Sequence, residues 1–449
     1  MIFEHLACHG DKITLYNPYS WYNKNMKKIN TSPISGTQEL LPTSQFIFDT
    51  LKAKITKIYR SHGFLNIETP ILERTEVLFA KAGGDTEKQI YEVKKTGEDT
   101  DKKADEALRF DHTVPLARYI VEHESDLSFP FKVSQIGENF RGERAQRGRF
   151  REFYQCDADI IGRNDLPIFY DADIIDTLID AYQSFELKTP VIARISNRKI
   201  LKGLLEGLNL QDKSRDISSI IDHSEKVPRE KTEQNLLEIG LTEENQAKIL
   251  QFIDLNGDID SVANGLKSLG VSNPTLDEGI AELAEVISIL KSSGHENIVR
   301  ADLRIIRGLD YYTGTVFEFA LPEYPEIGSI GGGGRYDNLT GYFSDQKFPG
   351  VGGSIGLNRL FFVLNEKNLL SEAPENPIDY AIIPISTAEV PYALEVAKDL
   401  RTRGASVTIV SGDKKLADKL KYASKLVKNA IVLGEEEVKN KSYEIKQFI

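Results

Sequence analysis

Arg307-Gly308-Leu309-Asp310-Tyr311-Tyr312-Thr313-Gly314-Thr315-Val316-Phe317-Glu318 is the most informative run of this chain. A cation, an acid and two adjacent phenols are followed at once by a β-branched, aromatic stretch. Such a run predicts a strand that carries polar groups into a pocket, because those residues suit a pleated, half-buried surface. An amphipathic strand with a solvated arginine fits the same residues equally well. Two other dense segments bear on the choice. Upstream lies Phe140-Arg141-Gly142-Glu143-Arg144-Ala145-Gln146-Arg147-Gly148-Arg149-Phe150-Arg151-Glu152-Phe153-Tyr154-Gln155. Downstream, Gly331 to Gly334 run into Arg335, Tyr336 and Asp337, and Gly350-Val351-Gly352-Gly353-Ser354-Ile355-Gly356 runs into Leu357, Asn358 and Arg359.

Composition bounds the function. A chain of 449 residues predicts two to four domains with cores of their own. No apolar run approaches the roughly 18 residues of a membrane span, and the N-terminus lacks the basic head and long apolar core of a secretory signal. With Cys8 and Cys156 as the two cysteines, a disulfide framework is excluded and a reducing, cytoplasmic setting is expected. The net charge of −12 argues against a protein that coats nucleic acid non-specifically. It leaves room for local patches, and residues 141–151 hold Arg141, Arg144, Arg147, Arg149 and Arg151. Arginine forks onto phosphate and carboxylate, so the run reads as a polyphosphate or RNA contact better than as a solvated loop.

The texture of the chain changes along its length. Residues 1–29 read as an N-terminal extension; its first 25 residues show no sustained period, and Met26 is the expected natural start. His5, Cys8 and His9 in that extension have helical metal-ligand spacing, yet three ligands in an unpatterned tail make a weak site. Apolar residues at helical spacing predict a helix from about 44 to 61, ended by Gly63, with a strand from 64 to 70. The charged segment 97–107 reads as a loop, 116–124 as a helix, and 131–140 with 150–161 as a β-hairpin with an arginine-rich tip. From 196 to 298 helical periods dominate, which predicts a helical insertion between two parts of a sheet, 30–195 and 299–372. Residues 373–449 read as a C-terminal α/β unit, and from Pro377 on its net charge is +2.

The three motifs together resemble those of the histidyl-tRNA synthetase family, class II aminoacyl-tRNA synthetases. The resemblance covers about residues 30–449, and the run from Arg307 to Glu318 is its most specific part. It implies an α+β catalytic domain with a mainly antiparallel sheet, the helical insertion, and a C-terminal anticodon-binding domain. It implies a homodimeric histidine–tRNA ligase with L-histidine, ATP and tRNA(His) as partners, Mg2+ accompanying ATP, no protein-ligated metal and no membrane. By the same resemblance, Arg141, Arg307 and Arg359 are the catalytic arginines. Arg141, Glu143, Arg149 and Arg359 would bind ATP, with Arg307 standing by the α-phosphate where other class II enzymes use a metal ion. Asp111 and Tyr312 would pair with the imidazole and Tyr311 would pack the pocket. Gln155, Asp159 and Thr113 would hold the α-amino group. Asn358 stands where an acid is usual, and the proline usual after the second motif 2 arginine is absent. A catalytically silent paralogue acting as a regulatory subunit or tRNA sensor is the alternative; intact Arg141, Arg307 and Arg359 weigh against it.

Overall fold

The structure, a computed structural model, describes residues 29–80, 87–97, 103–144, 148–306, 312–337, 339–370 and 377–448. Residues 29–35 are a short irregular segment in which the Ser32 amide donates to Asn30 Oδ1. The remainder, Gly36–Ile449, begins with helix α1 (Pro42–Ser61). Proline in its first turn costs no hydrogen bond, and Phe48, Leu51, Ile55 and Tyr59 make its buried stripe. Gly63 at φ +82° turns the chain out of the helix. Strand β1 is limited to Leu65–Asn66. The strand expected up to Pro70 stops short: past the Ile67 N–H, which donates to the Ser134 carbonyl, the Thr69 carbonyl and hydroxyl turn to the Arg109 and Gln135 side chains.

A small antiparallel sheet follows, built from β2 (Leu72–Arg74), β3 (Glu92–Val93) and β4 (Glu106–Leu108) in the order β2-β4-β3, with helix α2 (Thr75–Phe79) between its first strands. The charged segment is therefore not a loop as far as residue 107. Ala107 is fully buried against Leu78, Phe110 and Val114, and its backbone pairs with Glu73. Residues 98–102 lie outside the described residues.

Helix α3 (Thr113–Glu122) leads to the long hairpin of β5 (Phe131–Phe140) and β6 (Glu152–Ile161), in unbroken register from Phe131↔Ile161 to Phe140↔Glu152. After α4 (Phe169–Gln183) and β7 (Ile192–Asn197) come α5 (Arg198–Gly207), α6 (Ser214–His223), α7 (Arg229–Glu238) and α8 (Glu243–Ile253). Short β8 (Asn256–Gly257), α9 (Ile259–Ser268) and α10 (Pro274–Ser292) complete the helical stretch. The chain then forms β9 (Val299–Asp302), β10 (Thr315–Ala320), β11 (Ser329–Tyr336), β12 (Gly350–Gly356) and α11 (Leu357–Glu366). Nine strands make one sheet in the order β1-β5-β6-β12-β11-β10-β7-β9-β8, parallel only at β1–β5 and β7–β9.

Register decides what each face of this sheet carries. Cys156, Ala158, Ile160, Val351, Ile355, Phe317, Phe319, Ala193 and Ile195 share one face and pack with Ile174, Ile175 and Leu178 of α4. Arg335, on that face, forks to Asp171 of α4 at 2.7–3.1 Å. The other face carries Gln135, Asn139, Gln155, Asp157, Asp159, Ser354 and Glu318, with glycines at 137, 332, 334, 352 and 356.

The C-terminal unit has a four-stranded sheet. β13 (Tyr380–Pro384), α12 (Val390–Thr402), β14 (Val407–Ile409), α13 (Leu416–Ala423), β15 (Asn429–Leu433), α14 (Glu435–Asn440) and β16 (Ile445–Gln447) follow in sequence. β14, β13 and β15 are parallel, with β16 antiparallel at the edge. Ile382 and Ile431 pack on Val396 and Leu400 of α12, while Ala381, Ile383 and Ala430 pack on Ala423 at the end of α13.

Candidate active site

The polar face of the nine-stranded sheet lacks side chains where three central strands meet. Gly334 pairs with Gly352, and Gly352 with Asp159, so all three point the same way. A Cβ on Gly352 would lie 1.9 Å from Asp159 Oδ1, and one on Gly334 would lie 3.0 Å from Tyr312 Cδ1. Bare backbone thus forms a floor between the Tyr312 ring and the Asp159 carboxyl. Gly331 to Gly334 lie within strand β11, not in a turn.

Asp111 lies just before α3, where its Oδ1 accepts from the Val114 amide at 3.0 Å and fixes the first turn of the helix. Thr113 opens α3 two residues on and is half-buried. Arg141, at the end of β5, donates through Nε to the Phe110 carbonyl at 3.0 Å and lies over the Phe153 ring at 5.1 Å. Gln155 accepts from Asn139 Nδ2 and donates to Ser354 Oγ, each at 2.9 Å. These bonds pin its amide across three strands.

Three acids share this buried face, and their mutual repulsion shows. Burial, then the charge of Asp157, pushes the Asp159 carboxyl up to about 8 against the pull of the Tyr336 hydroxyl, which donates to its Oδ1 at 2.8 Å. Burial also raises Asp111, opposed by the Val114 N–H and by Arg141. Asp157 Oδ2 meets His112 Nδ1 at 3.1 Å. Four buried polar atoms here have no partner among the described residues: Asp111 Oδ2, His112 Nε2, Asn139 Oδ1 and Asp157 Oδ1. Each costs free energy until a ligand or water meets it. Beneath them, Arg109 is buried and donates to the Glu138 and Thr69 carbonyls.

The hairpin end supplies the exposed cations. Arg149 pairs with Glu143 at 3.5 Å and is half exposed, so the pair is weak and free to exchange partners. Arg359, in the first turn of α11, donates to the Ile327 carbonyl, and its Cγ would be 3.6 Å from a Cβ on Gly148. The motif 3 arginine therefore stands beside the motif 2 hairpin. Asn358 accepts from the Tyr154 amide at 2.7 Å, so this departure from the usual acid keeps an acceptor that ties α11 to β6.

Asp111, Thr113, Arg141, Gln155, Asp159 and Tyr312 come together around the polar face, with Glu143, Arg149 and Arg359 at its hairpin end. Arg307 and Tyr311 lie outside the described residues. Sequence reasoning passed over Asp157, His112, Asn139, Ser354 and Tyr336. The signal for Asp157 was available: it falls between Gln155 and Asp159 on the two-residue period of β6.

Comparison with known proteins agrees along the chain. The family model described as histidyl-tRNA synthetase matches residues 36–360, and that of the anticodon binding domain matches 379–448. A histidine–tRNA ligase of Clostridium tetani is 42% identical over 94% of this chain and 95% of its own length. The histidine–tRNA ligase of Clostridium acetobutylicum is 44% identical over 94% and 96%. The crystal structure of histidyl-tRNA synthetase from Nostoc sp. superposes with a TM-score of 0.84 at 35% identity, covering 94% of this chain and 95% of that one.

Proposed function

The chain belongs to the histidyl-tRNA synthetase family, and from that premise we propose that it is a histidine–tRNA ligase. In the first step a histidine carboxylate oxygen bonds to the α-phosphorus of ATP. The bond from that phosphorus to the pyrophosphate oxygen breaks, giving histidyl-adenylate. In the second step the terminal ribose hydroxyl of tRNA(His) attacks the histidyl carbonyl and AMP leaves. A non-bridging phosphate oxygen of the adenylate takes the ribose proton.

The observation that carries this reading is the set of buried polar atoms, without a partner among the described residues, around a glycine floor. Such a face is built for a small polar ligand, and a pocket that pairs with both imidazole nitrogens rejects side chains lacking them. Tyr312 and Asp159 flank the floor from opposite sides, so we assign the imidazole to this pair. Asp111, with Thr113 and Gln155, takes the α-amino group; the two acids thus exchange the roles that the resemblance alone suggested. Tyr311, outside the described residues, is assigned to the same pocket by the resemblance. Arg141 serves the α-phosphate and the histidine carboxylate, Glu143 the adenine amino group, and Arg149 the outer phosphates. Arg359 stacks on adenine and meets the γ-phosphate. Arg307 neutralises charge growing on the α-phosphate, a task that suits an always-charged fork. The acids near these arginines are oxygen donors that suit a hard cation such as Mg2+ carried in with the triphosphate.

The reading extends to the assembly: a cytoplasmic homodimer, with 30–195 and 299–372 as the catalytic domain, 196–298 as its insertion, and 373–449 on the anticodon. Histidine-dependent ATP–pyrophosphate exchange tests it. Wild type should exchange, and Arg307→Ala should lose at least about a hundredfold, as for a group acting on transition-state charge. No exchange from the folded wild type would favour the silent paralogue.

A further inference from the structure

A second polar cluster lies away from the glycine floor, where α1 meets α4, and the reaction does not use it. His62 follows the last turn of α1, while Asp176 and Asp180 stand one turn apart on α4. One ligand atom from each of the three lies within 4.8 Å of the others. His62 Nε2 is 2.9 Å from Asp180 Oδ2, and its Nδ1 is 3.1 Å from Thr177 Oγ1. His295, in the turn before β9, sets its Nε2 2.8 Å from Asp176 Oδ1.

Both ring nitrogens of His62 face oxygen atoms, and the Thr177 hydroxyl beside Nδ1 also lies 2.8 Å from the Asp173 carbonyl. A ring nitrogen that carries no proton presents a lone pair to this cluster, which a cation between it and a carboxylate would satisfy.

Charge favours the metal ion. Asp173, Asp176 and Asp180 all face this corner. Lys132 is taken up by Asp173 at 2.6 Å, and Lys54 reaches the Ser184 carbonyl one turn further along. Among the described residues, Asp176 and Asp180 meet the imidazoles of His62 and His295 but no lysine or arginine at salt-bridge distance, and a divalent ion would offset both carboxylates. One imidazole nitrogen with two carboxylate oxygens is a zinc-type donor set. His62 Nε2 stands 2.9 Å from Asp180 Oδ2, while Asp176 Oδ2 lies 3.9 Å from His62 Nδ1, so Asp176 closes in when the ion binds. His295 holds the Asp176 oxygen that the ion would not use, as outer partners of metal ligands do. Asp176 and Asp180 keep 28% and 38% of their side-chain surface exposed, so an ion and a completing water have access.

We propose that His62, Asp176 and Asp180 form a divalent-metal site of the zinc class that clamps the end of α1 to α4. It is distinct from any magnesium that travels with ATP. The test is a calorimetric titration of zinc into the metal-stripped, full-length protein without nucleotide. It is run in a Cys8→Ser background so that His5, Cys8 and His9 do not contribute. One equivalent should bind with a Kd below about 10 µM, as for a three-ligand protein site, and raise Tm. Asp180→Asn and His62→Gln should abolish binding while leaving pyrophosphate exchange intact. His295→Gln should weaken binding about 10–100-fold. Binding that survives both ligand variants overturns the site. So does the absence of binding to the protein without substitutions at His62, Asp176 or Asp180, which would leave the corner a hydrogen-bonded clamp.

Discussion

Asp159 shows how much one residue's setting changes its chemistry. Burial and the neighbouring Asp157 hold its carboxyl up at about 8, against about 3.9 in an unfolded chain. Between those values the folded, ligand-free protein binds the extra proton. Stability is then fully present at low pH and is lost as pH rises towards 8. The urea midpoint of the ligand-free protein should therefore fall between pH 5 and pH 8.5, and fall less in Asp159→Asn. Equal slopes would mean that Asp159 is ionised in the folded state. At this scale the sequence was partly legible. Asp111, Arg141, Gln155 and Asp159 could be named because a family motif marks them. His112 and Asn139 could not, because what singles them out is a missing partner in a buried place, which a string of residues does not display.

Elements were read best where period and punctuation agreed. The β5–β6 hairpin runs in unbroken register between two ten-residue strands, and α1 has an apolar stripe closed by Gly63. Reading failed where long-range pairing overrode local character: Glu106–Leu108 became a strand because β2 and β3 were there to receive it. Glycine governs one helix contact. α5 and α10 cross where Gly203 meets Leu276 and Gly279 meets Ile200; a Cβ on Gly203 would stand 2.4 Å from the Leu276 amide nitrogen. That neighbour is backbone and cannot rotate away. Gly203→Ala should cost about 1–3 kcal/mol of stability by overpacking, read as a lower denaturation midpoint with an unchanged m-value. An unchanged midpoint would show that the helices slide apart freely.

Over the whole molecule, the apolar clusters of the described residues fall into two groups. The first is a large core that joins the back of the nine-stranded sheet to α1, α4 and the helices between β7 and β9, with two smaller clusters around α3 and α2. The second is a pair on either face of the C-terminal sheet, which shares no buried residue with the first. Activation and tRNA charging should therefore be separable. A chain ending at residue 370 should keep histidine-dependent pyrophosphate exchange within a few-fold and lose at least about tenfold in charging, the affinity worth of some 1.4 kcal/mol of lost contact. Loss of both activities would tie the domains more closely than their cores suggest. This division was legible beforehand in the shift of texture near Pro377. The two-sidedness of the large sheet was not, because it depends on which strands become neighbours.

That two-sidedness bears on how the enzyme can change. The room between Tyr312 and Asp159 is bounded below by residues that already have the smallest side chain available. Every substitution at Gly334 or Gly352 adds volume, so mutation there can only shrink the space. A lineage drifting towards a bulkier amino acid would have to rebuild the walls, whose residues are tied into the network of buried bonds. Fidelity to a small substrate is in this sense inherited through the main chain, beyond the reach of any single codon on the floor.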